Sequence, residues 1–349
     1  MKILYAIQAT GNGHLSRARE IIPHLLQHGE VDLLVSGNNA DVSLPYIIKY
    51  KKHGLSFVNG KQGSIDYIKS VKQLKPIHFL KDILTFPVYD YDVVLNDFEP
   101  LSAWACKIRN KPCIAMSHQS AFLSKLTPRP QEKQAIPELI FKNYAPSSDA
   151  IGLHFNEYDT FIKKPIIRTE VRNLDVTEKN HISVYLPAYH DDFLMKHFLN
   201  ISDFEWHIFS KYCKTPYKVN HIKVLPIENN LFLKSLASSS GLITGGGFEG
   251  PAEAMYLNKK VMSIPILGQY EQLCNAISMK KMGVTVVAKI NRNFYNRVRG
   301  WLEYGNVIDV SFLNETESIV DDAIKLATIH NFNKYSNYIY NENSYIWKY

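Results

Sequence analysis

Residues 240–255 read Ser240-Gly241-Leu242-Ile243-Thr244-Gly245-Gly246-Gly247-Phe248-Glu249-Gly250-Pro251-Ala252-Glu253-Ala254-Met255, and this stretch decides the fold. The apolar run 240–244 predicts a short buried strand, and Gly245, Gly246 and Gly247 then turn the chain. Pro251 marks the first turn of a helix, where its missing N–H is not needed. Such a strand, turn and helix N-terminus predict an anion site, because free N–H groups and the helix dipole both point at the ligand. A plain structural turn is the alternative.

A second polar segment follows the next predicted strand, residues 260–264. It reads Pro265-Ile266-Leu267-Gly268-Gln269-Tyr270-Glu271-Gln272-Leu273-Cys274-Asn275-Ala276. Open α/β sheets bind ligands at the carboxyl ends of their strands. The sequence therefore predicts that this segment lies beside the glycine turn and shares its ligand.

Short apolar runs alternate with helical patterns along most of the 349 residues. Strands are expected at residues 2–8, 31–35, 55–58, 92–95, 112–116, 150–153, 182–186, 205–209, 221–225, 241–244, 260–264 and 284–287. This alternation predicts an α/β protein with two tandem, doubly wound, Rossmann-like parallel-sheet domains facing a central cleft.

An irregular polar segment places the domain boundary. We expect a first domain over residues 1–158, a linker over 159–180 and a second domain over 181–332. A final helix over 333–349 would cross back to the first domain, and a frayed tail is the alternative.

A second glycine turn follows the first strand and reads Gly11-Asn12-Gly13-His14. It is not a dinucleotide fingerprint, because Ser16 stands where the third glycine is required. The second strand also ends in Val-Ser-Gly, residues 35–37, without the acidic residue that binds a ribose.

The stretch 244–276 resembles the donor-binding segment of UDP-sugar glycosyltransferases of the two-Rossmann-domain (GT-B) fold. It is similar both to the plant UDP-dependent enzymes and to the bacterial peptidoglycan N-acetylglucosaminyltransferase. The shared layout is a Gly-Gly turn, a helix with Glu-Ala, a Pro-containing strand end, an acidic or amide residue, Gln, and Asn-Ala.

The resemblance implies roles for the residues of both segments. Gly245, Gly246, Gly247 and Gly250 would line the diphosphate, although the plant enzymes usually have Ser at the position of Gly250. The remaining donor contacts would come from Glu253 on the ribose, Glu271 and Gln272 on the sugar hydroxyls, and Asn275 in support of the same loop.

The resemblance also gives the N-terminal turn a role. His14 matches the general base of the plant enzymes, and Asp97, after the strand 92–95, matches the carboxylate that pairs with it. Gly11, Asn12 and Gly13 would form an acceptor or phosphate loop, and His118 is similar to an acceptor-side residue of the peptidoglycan enzyme. The alternatives are that His14 only binds phosphate or caps the turn, that Asp97 caps the following helix, and that His118 is structural.

Composition narrows the partners and the compartment. The net charge of +7 is dispersed, so it suits an anionic small ligand or a membrane surface and does not indicate nucleic acid. The four cysteines show no metal-ligand spacing, and no apolar run approaches the roughly 20 residues that span a bilayer. We expect a cytoplasmic protein, with peripheral contact at the inner face of the membrane as an option, and we expect no metal and no cofactor.

These observations together predict an inverting, metal-independent hexosyltransferase. It would move a sugar from a nucleotide sugar, by resemblance a UDP-sugar, to a hydroxyl of a glycan, a lipid-linked or a small-molecule acceptor. Two alternatives remain: a sugar-nucleotide epimerase of the same fold, and a non-catalytic subunit that binds nucleotide sugar or recruits a partner at a membrane.

Overall fold

The computed structural model describes residues 1–9, 11–37, 44–53 and 76–343, and only the backbone of 333–343. Within these ranges the strands form two seven-stranded sheets with helices packed around them. This confirms the predicted α/β class with two doubly wound halves. The strand predicted at residues 55–58 lies outside the described residues.

The first sheet is parallel throughout. Its strands are β1 (Lys2–Gln8), β2 (Glu30–Ser36), β3 (Tyr50–Lys52), β4 (Val93–Asp97), β5 (Ile114–Ser117), β6 (Asp149–Leu153) and β7 (Ile162–Lys163). They lie in the order β3-β2-β1-β4-β5-β6-β7. Residues Ile3 to Ile7 of β1 are fully buried, as expected for a central strand covered on both faces.

The second sheet repeats this plan. Its strands are β8 (His181–Tyr185), β9 (Glu205–Ser210), β10 (Tyr217–Val219), β11 (Ile222–Pro226), β12 (Gly241–Thr244), β13 (Lys260–Ser263) and β14 (Thr285–Val286). They lie in the order β10-β11-β9-β8-β12-β13-β14, and the short edge strand β10 is antiparallel to its neighbour. The other pairs are parallel.

The helices connect the strands and cover the sheets. They are α1 (Asn12–Leu25), α2 (Pro76–Thr85), α3 (Pro100–Ile108), α4 (Ala135–Asn143), α5 (Thr169–Arg172), α6 (Asp191–Phe198), α7 (Asn229–Ser238), α8 (Glu249–Tyr256), α9 (Tyr270–Lys281), α10 (Phe294–Tyr304) and α11 (Thr316–Asn343). Among the described residues, no helix combines the length and the apolar character that crossing a bilayer requires.

The segment between the two sheets is more ordered than the sequence suggested. It contains β7, which pairs with β6 of the first sheet, and the short helix α5. The C-terminal helix α11 packs against α1 and against β4, β5 and β6. Its Asn331 donates to the carbonyl of Asp92 at 2.7 Å, so this helix lies on the first sheet.

The strand order creates one switch point in each sheet. In the first sheet β1 lies between β2 and β4, and in the second β8 lies between β9 and β12. The chain leaves β1 and β4, or β8 and β12, toward opposite faces, which opens a crevice at their carboxyl ends. Both glycine turns follow a strand at such a point.

Candidate functional site

The first switch point brings together the two predicted catalytic side chains. Helix α1 begins directly after Gly11, which puts His14 in its first turn. Strand β4 lies beside β1 with Ile7 opposite Asp97. As a result, Nδ1 of His14 and Oδ1 of Asp97 lie 2.8 Å apart.

The environment of Asp97 keeps it ionised. Its side chain is fully buried, which alone would raise its pKa, but Arg17 and His14 outweigh burial and hold the pKa below its ordinary value. A carboxylate can only accept, so Nδ1 of His14 carries the proton and Nε2 is left with its lone pair. This is the tautomer that a general base requires.

The chain after Asp97 excludes the helix-cap alternative. Phe98 has a φ of 56°, in the left-handed region, and turns the backbone sharply at the end of β4. Glu99 is then the N-cap of α3 and accepts from the N–H groups of Leu101 and Ser102. The carboxylate of Asp97 is therefore directed at His14 instead of at a helix end.

Arg17 is the residue of this cluster that sequence reasoning missed. Its NH2 group donates to both carboxylate oxygens of Asp97, at 2.7 and 2.8 Å, and lies 3.2 Å from Nδ1 of His14. Its NH1 group pairs with Glu249, which is the first residue of α8 in the second domain. The signal in the sequence was the spacing of three residues from His14, which puts both side chains on one face of α1.

The second switch point carries a cavity of about 430 Å³. Three glycines of the second turn line it, namely Gly245, Gly247 and Gly250. Asn12 and Gly13 of the first turn close it from the other domain. The two glycine turns therefore face a common cleft, as the sequence analysis expected.

Gly246 has a different place from the one predicted. Among the described residues that line the cavity Gly246 does not occur, and its N–H donates to Oε1 of Gln272 at 3.0 Å. A Cβ at this position would overlap the carbonyl oxygen of Gln272 and lie 2.7 Å from its Cβ. Close packing against α9 is thus the reason for glycine here.

Gln272 and Asn275 hold the glycine turn in place. Oε1 of Gln272 also accepts from the N–H of Ile266 at 3.0 Å, so this amide oxygen is used for the loop although its side chain borders the cavity. Asn275 is fully buried and donates to the carbonyl of Gly246 at 3.1 Å. The predicted supporting role of Asn275 matches this position, whereas Gln272 acts on the backbone instead of standing free for a sugar.

Glu253 lines the cavity and is paired with a second missed residue, Arg168. The guanidinium donates to the two carboxylate oxygens at 2.6 and 2.9 Å. Burial raises the pKa of Glu253, and Arg168 opposes that effect. Arg168 comes from the segment between the sheets, so its pairing with Glu253 depends on how the chain returns to the second domain.

His118 and Glu271 lie where the two domains meet. The His118 ring is almost fully buried and stacks on Phe248 at 4.0 Å between centroids. Its ring nitrogens lie 2.8 Å from the carbonyl of Leu153 and 2.9 Å from Oδ1 of Asn275, and burial lowers its pKa. This environment corresponds to the structural alternative for His118.

Gln119 lies between Glu271 and His14. Its Nε2 lies 3.2 Å from both carboxylate oxygens of Glu271 and 3.4 Å from Nε2 of His14. Glu271 is not among the described residues that line the cavity, and its carboxylate lies beside Gln119. Within the described ranges, no group of three or more His, Cys, Asp or Glu side chains is arranged to hold a metal ion.

Comparison with known proteins gives this site its context. Residues 1–302 match the model of the family described as glycosyl transferase family 1. No curated protein sequence matches the chain.

Solved structures of similar fold align over nearly the whole chain. Arabidopsis thaliana UGT89C1 complexed with UDP is 13% identical, with a TM-score of 0.58 and coverage of 93% of this chain and 94% of that one. UGT89C1 complexed with UDP-L-rhamnose gives 12%, 0.57, 93% and 94%. The glycotransferase of kitacinnamycin gives 14%, 0.54, 94% and 95%. At these identities the likeness shows a shared GT-B fold, and the family match over residues 1–302 establishes that this chain belongs to glycosyl transferase family 1 and is a glycosyltransferase.

Proposed function

We propose that this glycosyltransferase moves a sugar from a UDP-sugar to an acceptor hydroxyl with inversion at the anomeric carbon. In this proposal neither a metal ion nor a cofactor takes part. The observation that carries the proposal is the contact of 2.8 Å between Nδ1 of His14 and Oδ1 of Asp97, directly after the glycine turn whose Asn12 and Gly13 line the cavity.

In the reaction, Nε2 of His14 takes the proton of the acceptor hydroxyl while the acceptor oxygen bonds to the anomeric carbon. The bond from that carbon to the diphosphate oxygen breaks, and the nucleoside diphosphate leaves with the electron pair. Asp97 orients the ring through Nδ1–H and stabilises the imidazolium that forms. Attack from the side opposite the leaving group inverts the anomeric centre.

The diphosphate would lie at the N-terminus of α8. Gly245, Gly247 and Gly250 border the cavity there, so the backbone can approach the ligand without a Cβ in the way. The free N–H groups and the dipole of the helix would stabilise the departing charge in place of a metal.

The nucleoside would occupy the rest of the cavity. Glu253 is held with its carboxylate at the cavity wall and would accept from the ribose hydroxyls. The apolar end is lined by Ile227 and by three aromatic residues, Tyr185, Phe209 and Phe232, whose rings would pack against a base. The UDP and UDP-L-rhamnose complexes of UGT89C1 support uridine as that nucleoside.

The two alternatives are less well supported. A subunit that only binds nucleotide sugar would leave His14 and Asp97 unaligned, and their contact favours transfer. An epimerase requires further acid and base groups at the sugar. Of the nearby titratable groups, His118 is engaged with Leu153 and Asn275.

A donor panel tests the proposal. UDP and a set of UDP-sugars should raise the melting temperature, and GDP- and dTDP-sugars at the same concentration should do so much less. A ligand at 100 times its Kd stabilises by about 2.7 kcal/mol, which is easily measured. The donor that binds is then assayed for transfer with EDTA present, and NMR of the product gives its anomeric configuration. Stabilisation by GDP- or dTDP-sugars alone, loss of activity in EDTA, or retained configuration would each contradict the corresponding part.

A further inference from the structure

Arg17 is an unusually well buried arginine at the proposed catalytic centre. Its side chain is 2% exposed, and one of its terminal nitrogens bridges both oxygens of Asp97. Burial alone would lower the pKa of Arg17, but Asp97 and Glu249 outweigh it, so the guanidinium remains charged. A permanent positive charge therefore lies beside the imidazole that is proposed to accept a proton.

The other terminal nitrogen of Arg17 reaches across the cleft to the donor side. Glu249, its partner, opens helix α8 and lines the donor cavity. Gly13 leaves the space for this contact, because a Cβ there would overlap Oε2 of Glu249. One guanidinium thus connects the base and its carboxylate to the helix that would hold the diphosphate.

The charges of this cluster depend on both acidic partners. With His14 neutral, Arg17, Asp97 and Glu249 sum to one negative charge. When His14 takes a proton, the four groups sum to zero. The carboxylate of Glu249 therefore favours the imidazolium, whereas Arg17 opposes it directly and by sharing Asp97.

We infer that Arg17 is a positioning residue that shares Asp97 with His14 and, through Glu249, sets how readily His14 accepts a proton. This inference rests on the proposed function, in which His14 is the general base. Arg17 on α1 and Tyr5 on β1 lie directly against Asp97. Around them, Glu249 on α8 pairs with Arg17, Glu271 on α9 contacts Gln119 beside His14, and His118 after β5 lies 3.9 Å from Glu271.

The test measures the pKa of the His14 imidazole by NMR in protein with labelled histidine. The chain has 13 histidines, so the signal that disappears in His14→Ala assigns the resonance. Arg17→Gln should raise the His14 pKa by about one unit, as expected for a positive charge removed 3.2 Å from the imidazole, and Glu249→Gln should lower it. The acid limb of kcat/KM should move in the same directions.

A matched control separates this effect from loss of any contact between the domains. Glu138 accepts from Arg129 at 2.7 Å and from Tyr270 of the second domain at 2.6 Å, away from His14. Glu138→Gln should leave the His14 pKa unchanged. If Arg17→Gln does not fold, Glu249→Gln decides, because Glu249 is partly exposed at the cavity.

Unchanged His14 pKa values in both variants, or shifts in the same direction, would overturn the inference. This readout does not require turnover. The inference about Arg17 can therefore be overturned while His14→Ala is inactive, and the proposed function would then still hold. The predicted pKa shifts can also be found while His14→Ala remains active, and only the role of His14 as the base would then be contradicted.

Discussion

The turns after β1 and after β12 share one backbone plan and differ in their side chains. Each follows a central strand at a switch point and opens a helix toward the same cleft. The first turn leads into a buried charged cluster of His14, Arg17 and Asp97. The second is held by the neutral amides of Gln272 and Asn275. In the proposed function this plan supplies the place for a ligand, and the surrounding side chains decide whether a turn serves proton transfer or anion binding.

Replacing Asp97 by Asn should cause the largest loss of activity. It should affect the first turn and leave the second turn intact. The change removes the negative charge that stabilises the imidazolium, so kcat should fall by about 10³-fold or more. UDP affinity should stay near the wild-type value, because Asp97 ends β4 beside His14 and is not among the described residues that line the cavity. Measuring kcat together with UDP binding by calorimetry checks this, and a kcat within tenfold of wild type would contradict it. Thermal unfolding must accompany the assay, since the buried Arg17 also loses its partner.

Gly246→Ala should have the opposite result: it should disturb the second turn and leave the first turn intact. The added methyl group overlaps Gln272, so the loop must move, and we expect a loss of about 1 to 3 kcal/mol in stability as in other overpacked sites. UDP binding should weaken with it, whereas the His14 pKa should not change. Gly250→Ala is the matched control, because a Cβ there meets no atom within 4 Å, and its melting temperature should not fall. Equal melting temperatures for the two variants would show that the packing at Gly246 is not tight.

The fold and the ends of the strands could be predicted from the sequence. Side-chain partners that depend on how the two domains dock could not. The closeness of His14 and Asp97 was predictable because one follows β1 and the other ends β4 at the same sheet edge, whereas their proposed roles came from the resemblance. Arg17 and Arg168 were missed because each has an acidic partner in the second domain, Glu249 and Glu253, which are 232 and 85 residues away. Gly246 looked like a phosphate ligand because loop glycines are the same in sequence whether they face a ligand or a helix.

His207, a histidine of the second domain, should have the smallest of the expected effects, and this effect is on the pH dependence of stability. His207 stacks on His181 at 4.0 Å, and burial, followed by His181, lowers its pKa to about 4. An unfolded histidine binds a proton near pH 6.5, so stability should fall as the pH drops from about 6.5 to about 4. With allowance for solvent screening, the loss should be about 1 to 2 kcal/mol. His207→Gln should flatten this part of the stability profile in urea unfolding, and an unchanged slope would contradict the assignment.

The most direct test of the account is His14→Ala, assayed for sugar transfer and for UDP binding with the same preparation. We expect transfer to fall by at least about 100-fold, as on loss of a general base, while the Kd for UDP stays within about twofold. His28→Ala should behave as wild type in both measurements, because His28 follows the end of α1 and pairs with Asp321 of α11. Wild-type transfer by His14→Ala would contradict the role of His14 as the base. A parallel loss of UDP binding would contradict the division of proton transfer and nucleotide binding between the two turns.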